Sequence, residues 1–168
     1  MIGLGAMGEG MAASLLRAGY LVHGYDVFPQ AVNNFLSHPG RADAARSPAD
    51  AAEGSEVVII MVQNASQVDD VLFGAGRVAE TLSNGAVVIL SSTVPPHYVQ
   101  SLQDKLKQLD KGVFLLDAPV SGGVVRAANG NLTVRISTHD SLMTIFNSQG
   151  IRLFARGRDS LLPIFTRF

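Results

Sequence analysis

Three glycines within the first eight residues, Gly3-Leu4-Gly5-Ala6-Met7-Gly8, have the spacing that holds a pyrophosphate. In a Gly-x-Gly-x-x-Gly turn from strand to helix, the first glycine makes the tight turn and the second lets backbone approach the phosphates. The third lets the helix pack close to the sheet, and the helix start offers unpaired N–H groups to the anion. Asp26 lies 18 residues after Gly8. A carboxylate there accepts hydrogen bonds from the adenosine ribose hydroxyls and repels a 2′-phosphate. The residues that follow, Val27, Phe28, Pro29 and Gln30, include no arginine to receive such a phosphate. NAD is therefore the expected cofactor, with NADP as the alternative.

The elements that must position these groups are legible around them. Met7, Met11, Ala12, Leu15 and Leu16 fall on one helical face, and Gly19 stands where a C-terminal cap belongs. Residues 20–25 read as a strand ending at Asp26, which gives the glycine turn its βαβ context. Only Met1 and Ile2 precede that turn, so the first strand is expected to be largely missing, and dinucleotide binding by the chain alone to be weak or absent. Ser47-Pro48-Ala49-Asp50 predicts a capped helix start closed by Gly54, and Ser66 is expected to cap a helix over 66–73. Residues 56–62 and 86–90 are continuous apolar runs of strand length, as in a parallel sheet covered on both faces. Pro95 and Pro96 suit a first helical turn, followed by a stripe of Val99, Leu102, Leu106 and Leu109. Further strands are expected at 113–116 and 132–136. This alternation predicts an α/β fold, a doubly wound parallel sheet of Rossmann type.

Composition narrows the function classes. A formal net charge of -1 gives no electrostatic footprint for nucleic acid or an anionic membrane surface. No apolar run has the length of a membrane span and no signal-peptide pattern leads the chain, so the cytoplasm is the default location. There are no cysteines, and none of the four histidines is paired at metal-ligand spacing, so no metal site is expected. From Thr138 onward the periodicity stops. Four arginines face two acids there, whereas residues 1–137 carry nine basic and twelve acidic residues. The expected organisation is a dinucleotide-binding domain over 1–137 and a divergent tail over 138–168.

A second motif lies downstream. Asp117-Ala118-Pro119-Val120-Ser121-Gly122-Gly123, followed by Ala127-Ala128-Asn129-Gly130-Asn131-Leu132-Thr133, resembles a signature of the β-hydroxyacid dehydrogenases. That family includes the 3-hydroxyisobutyrate, L-threonate and 6-phosphogluconate dehydrogenases. The opening glycine motif, continued by Gly10, Met11 and Ala12, resembles the family's other signature, and Arg126 is most similar to the L-threonate branch. The resemblance spans residues 2 to about 137. It implies that Gly3, Gly5, Ala6, Met7 and Gly8 wrap the pyrophosphate and that Asp26 holds the ribose. Val62, Gln63 and Gln67 would line the adenine side, and Thr93 would approach the nicotinamide ribose. Ser121, Gly122 and Gly123 would meet the carboxylate of a small hydroxy acid, once a second domain completes the site. Adjacent glycines do let an anion approach the backbone closely.

The same resemblance implies a lysine as general acid/base, on a helix that opens an all-helical second domain. Lys105, Lys107 and Lys111 all precede Ser121 and are expected on a solvated helix, and every strong cation after Ser121 is an arginine. Arginine stays protonated and shuttles protons poorly. No residue of the chain is therefore assigned as catalytic. The reading is the NAD-binding half of a 3-hydroxyisobutyrate/L-threonate dehydrogenase-like oxidoreductase, catalytically incomplete as it stands. A non-catalytic interaction protein on a Rossmann scaffold is the alternative.

Overall fold

The computed structural model describes residues 1–134; the expected tail, and the end of the strand expected at 132–136, lie outside them. The glycine turn leads into α1 (Ala6–Arg17), followed by β1 (Leu21–Gly24), α2 (Pro29–Leu36), β2 (Arg41–Ala44), α3 (Pro48–Ala52) and β3 (Val57–Ile60). Then come α4 (Ala65–Leu72), α5 (Val78–Thr81), β4 (Val87–Leu90), α6 (Pro96–Lys107) and β5 (Phe114–Asp117). The short elements β6 (Val120–Ser121), α7 (Gly123–Ala128) and β7 (Thr133–Val134) complete the described chain.

β1 pairs with β2, and β3, β4 and β5 pair in that order, all parallel. Ile2 joins the two groups, bridging Tyr25 on one side and Ile60 on the other. The spatial order is thus β2, β1, residues 1–3, β3, β4, β5. The centre of this sheet is held by a minimal strand. Ile2 N–H donates to Ile59 O (2.8 Å), Met61 N–H to Ile2 O (2.9 Å), and Gly3 N–H to Tyr25 O (2.9 Å). Before Ile2, the Met1 amine donates to His23 O at 2.7 Å.

The strands alternate their side chains between two cores, which is why their sequences are apolar throughout. Ile59, Val87, Ile89 and Leu116 pack with Met11, Leu16 and Phe35 on the α1 side. Val58, Ile60, Val88 and Leu90 pack with Val68, Leu72, Leu102 and Leu106 on the α4–α6 side. Leu102 and Leu106 carry the expected stripe of α6, with Val99 and Leu109 at its half-buried margins.

Helix ends follow their chemistry. Gly19, at φ +89°, closes α1: its N–H meets Leu16 O and the Tyr20 N–H meets Leu15 O, the two bonds of a Schellman end. Ser47 caps α3 by accepting from Asp50 N–H (3.1 Å), with Pro48 in the first turn. The α4 cap differs from the expected Ser66. Asn64 accepts from Gln67 N–H at 3.0 Å, and Ser66 lies inside the helix. Asparagine caps at least as well as serine, and its position lets Gln67 Oε1 reach back to Gln63 N–H (2.9 Å). Two further differences concern the end of the domain. The last strand pair is antiparallel, Val120 with Val134 and Ser121 with Thr133, and residues 123–128 form a helix.

α7 is fastened to α1. A Cβ on Gly10 would lie 2.7 Å from Ala128 N and 2.9 Å from Ala127 C, so the two backbones touch there. Ser14 Oγ donates to Ala127 O (3.0 Å), and Arg17 donates to Ser14 Oγ (2.8 Å) and to Ala128 O, which satisfies carbonyls at the end of α7. Gly10→Ala must push these helices apart and is expected to cost about 1–3 kcal/mol, read as a loss of several degrees in Tm.

Candidate functional site

The glycine turn, Asp26, Val62, Gln63 and Thr93 follow the C-terminal ends of parallel strands, so their loops open on one edge of the sheet. In open α/β sheets that edge is where ligands bind, at the point where strand order reverses. The reversal here falls at residues 1–3, between β1 and β3, and the glycine turn leaves the sheet there.

The three motif glycines have different reasons to be glycine. Gly3 has φ +90°, and a Cβ on it would lie 2.2 Å from Met61 O. A Cβ on Gly8 would lie 2.0 Å from Gly3 O. Both are demanded by the protein itself. Gly5 caps α1 in an extended conformation at φ -64°, and its Cβ would meet nothing within 4 Å. Of the glycines among the described residues, Gly5 alone has neither a positive φ nor a neighbour that a Cβ would touch. Beside it the N–H groups of Ala6, Met7 and Gly8 precede the first intrahelical bond, Glu9 N–H to Gly5 O. Open space on the second glycine, next to unpaired helix N–H groups, fits a bound pyrophosphate.

Asp26 is held to this turn. Its Oδ2 accepts from Leu4 N–H at 2.7 Å and its Oδ1 from Phe28 N–H at 2.9 Å. The second bond is an Asx turn, which aims the strand end back at the glycine loop. A carboxylate has about four acceptor positions, so two remain for ribose hydroxyls. On the far side of the turn, Val62 N–H donates to the buried Ser92 Oγ (2.9 Å), tying the loop after β3 to the loop after β4. Gln63 is exposed, and Gln67 is exposed but spends its carbonyl on the α4 cap. Thr93 is exposed beyond the buried Ser91 and Ser92. Ser92 carried no signal in the sequence beyond its place in a Ser-Ser-Thr run, yet it positions Val62.

The structure places Ser121 in β6 and Gly122 and Gly123 at the start of α7, all three exposed. Gly122 has φ +138° and Gly123 has φ +72°, conformations that side chains disfavour. Asp117, half-buried at the end of β5, has its carboxyl raised above the usual range by burial. The lysines stand elsewhere. Lys105 pairs with Asp69 at 2.8 Å and Lys107 with Asp104 at 3.9 Å, both on the outer surface. Lys111 follows α6 rather than belonging to it, and its Nζ donates to the carbonyls of Ala79, Glu80 and Leu82 at the end of α5.

Residues 1–148 match the NAD binding domain of 6-phosphogluconate dehydrogenase. The chain belongs to that family. Family members similar to it include the L-threonate dehydrogenase of Cupriavidus necator, 45% identical over 137 residues, which are 82% of this chain and 45% of that one. The NAD-dependent L-serine dehydrogenase of Pseudomonas aeruginosa is 33% identical over 162 residues, 94% of this chain and 53% of that one. Among solved structures, the 3-hydroxyisobutyrate dehydrogenase of Salmonella typhimurium superposes with a TM-score of 0.77 at 40% identity, covering 87% of this chain and 50% of that one. The chain therefore spans about half the length of the relatives it matches. The Rossmann-like α/β fold and the NAD-binding character of the domain follow from this membership. Among the described residues no helix is long and apolar enough to cross a membrane.

Proposed function

We propose that this domain forms the cofactor half of an oxidoreductase acting on a small β-hydroxy acid. Gly3, Gly5, Ala6, Met7 and Gly8 surround the pyrophosphate, Asp26 holds the adenosine ribose, and Val62, Gln63 and Gln67 flank the adenine. Thr93 adjoins the nicotinamide ribose, and Ser121, Gly122 and Gly123 receive the carboxylate of the hydroxy acid. The observation that supports this most is Gly5, open and unstrained beside the free N–H groups of α1. NAD, when bound, supplies the hydride acceptor for oxidation of an alcohol carbon. The chain's own residues orient the two reactants: α1 neutralises phosphate charge through its N–H groups, and the Ser121 hydroxyl fixes the carboxylate.

Titrating NADH fluorescence against the purified chain tests the cofactor half; no saturable quenching at any concentration would overturn it. Cofactor choice has its own test. Asp26→Ser removes an acceptor for the ribose and the charge that repels a 2′-phosphate. It is expected to weaken NADH about tenfold, in keeping with a hydrogen bond to a charged group, and to narrow the preference over NADPH. An unchanged NADH/NADPH ratio would show that Asp26 does not face the ribose.

A further inference from the structure

The substrate half-site contains an interlock that the family motif does not explain. Gly122 stands with φ +138°, and a Cβ on it would lie 2.9 Å from Arg126 Cδ, 3.1 Å from Arg126 Cβ and 3.3 Å from Leu132 Cδ2. The aliphatic stem of Arg126 thus lies against the Gly122 backbone, one helical turn along α7. A side chain at 122 would displace it. The stem is fixed in turn because α7 is fastened to α1 through Gly10, Ser14 and Arg17.

Among the described residues, no side-chain partner engages the guanidinium at the end of that stem. Arg126 is exposed and has no carboxylate partner among the described residues. Arg17, Arg46, Arg77, Lys105, Lys107 and Lys111 are each engaged with a carboxylate or with carbonyls. Arg41 is the other cation without such a partner among the described residues, and it sits on β2 at the far edge of the sheet. An arginine with a pre-placed stem loses less freedom on forming a bond, and its planar fork matches a carboxylate bidentately.

We propose that Arg126 is the residue that selects a charged carboxylate at the Ser121–Gly123 half-site. The Ser121 hydroxyl and the adjacent N–H groups orient the group, and Arg126 supplies its countercharge. The specificity is then for hydroxy-acid anions over uncharged polyols of the same skeleton. This rests on the reading of Ser121, Gly122 and Gly123 as the substrate half-site.

The test is a ¹H–¹⁵N NMR titration of the 168-residue chain with L-threonate and, separately, with the uncharged polyol L-threitol, at constant ionic strength. L-threonate is expected to shift the Gly122 and Gly123 amides saturably, and L-threitol to leave them in place. Arg126→Gln, which keeps a stem of similar length and removes the charge, is expected to weaken L-threonate about tenfold or more, as for loss of a charge-assisted pair. Arg126→Lys retains part of the affinity, and Arg41→Ala changes nothing. A merely structural Arg126 would leave the choice between threonate and threitol intact. Wild-type saturation with an unaltered Arg126→Gln variant overturns the role of Arg126 and leaves the half-site standing. No shift of Gly122 or Gly123 in the wild type overturns the half-site itself and this assignment with it.

Discussion

Gly5→Ala is expected to leave the fold almost as stable as before and to weaken NADH binding at least about tenfold, whereas Gly8→Ala is expected to damage the fold itself. The two substitutions add the same methyl group to the same motif, one at the cap of α1 and one in its first turn. At Gly5 the methyl enters open space on a backbone that any residue adopts, and the cost is the modest one of a poorer helix cap, about 1 kcal/mol or less. At Gly8 it would lie 2.0 Å from the Gly3 carbonyl oxygen and 2.9 Å from its carbon, neither of which can rotate away. The turn must move, and Gly3 is itself pinned between Tyr25 and the Met61 carbonyl. About 1–3 kcal/mol or more is expected, several degrees in Tm. Thermal melts and NADH titrations on both variants decide the matter. A Gly5→Ala chain that binds NADH like the parent would sink the pyrophosphate assignment.

The second large effect concerns pH and the first residue. The Met1 amine lies between β1 and β3, where burial lowers it from 8.0 to about 5. Unfolded, it takes up a proton below 8; folded, only below about 5. Between those values the unfolded chain binds more protons, so stability rises with pH across that window and is fully present above 8. The loss on going below pH 5 amounts to about 4 kcal/mol. Acetylating the amine removes the titrating group, so the acetylated and free chains should diverge increasingly in Tm as pH falls from 8 to 5. Every other ionisable group is common to both forms and drops out of the difference. Parallel pH profiles would refute the buried amine.

The ladder around Met1 adds a second arm to that experiment. Pairing of β1 with β2 uses Val22 and Gly24, and pairing of β3 with β4 uses Val58 and Ile60. The His23 N–H, Leu21 C=O, Ile59 N–H and Val57 C=O therefore point toward the central position and have no backbone partner among the described residues. The parallel register puts all four within reach of two added residues ahead of Met1. A Val-Val extension is expected to raise Tm and tighten NADH, because the glycine turn hangs from this position. The acetyl carbonyl alone is placed to accept from Ile59 N–H.

The sequence made most of the sheet legible because its central strands are buried on both faces and announce themselves as apolar runs. β2 carries no such signal, for the opposite reason. Arg41-Ala42-Asp43-Ala44 is an edge strand, mostly exposed, with charges that discourage further pairing. α2 buries only Phe35 and left no apolar stripe to read. α7 was hidden in a glycine-rich stretch that looks like a turn, and it is a helix because Ser14 and Arg17 complete its end from another element. The site was legible where the motif encodes a backbone demand, as at Gly3 and Gly8. It was not legible where one loop ties another, since nothing in the chain before Ser92 announces that Val62 needs it.

The union of α1 and α7 bears on how such a domain could be re-engineered. Transplanting residues 120–130 from a relative would bring a helix shaped for another partner. Positions 10, 14 and 17 would have to travel with it, although they lie more than a hundred residues away in the sequence. The geometry of residues 120–130 is therefore inherited as one half of a two-part cassette, the other half of which resides in α1.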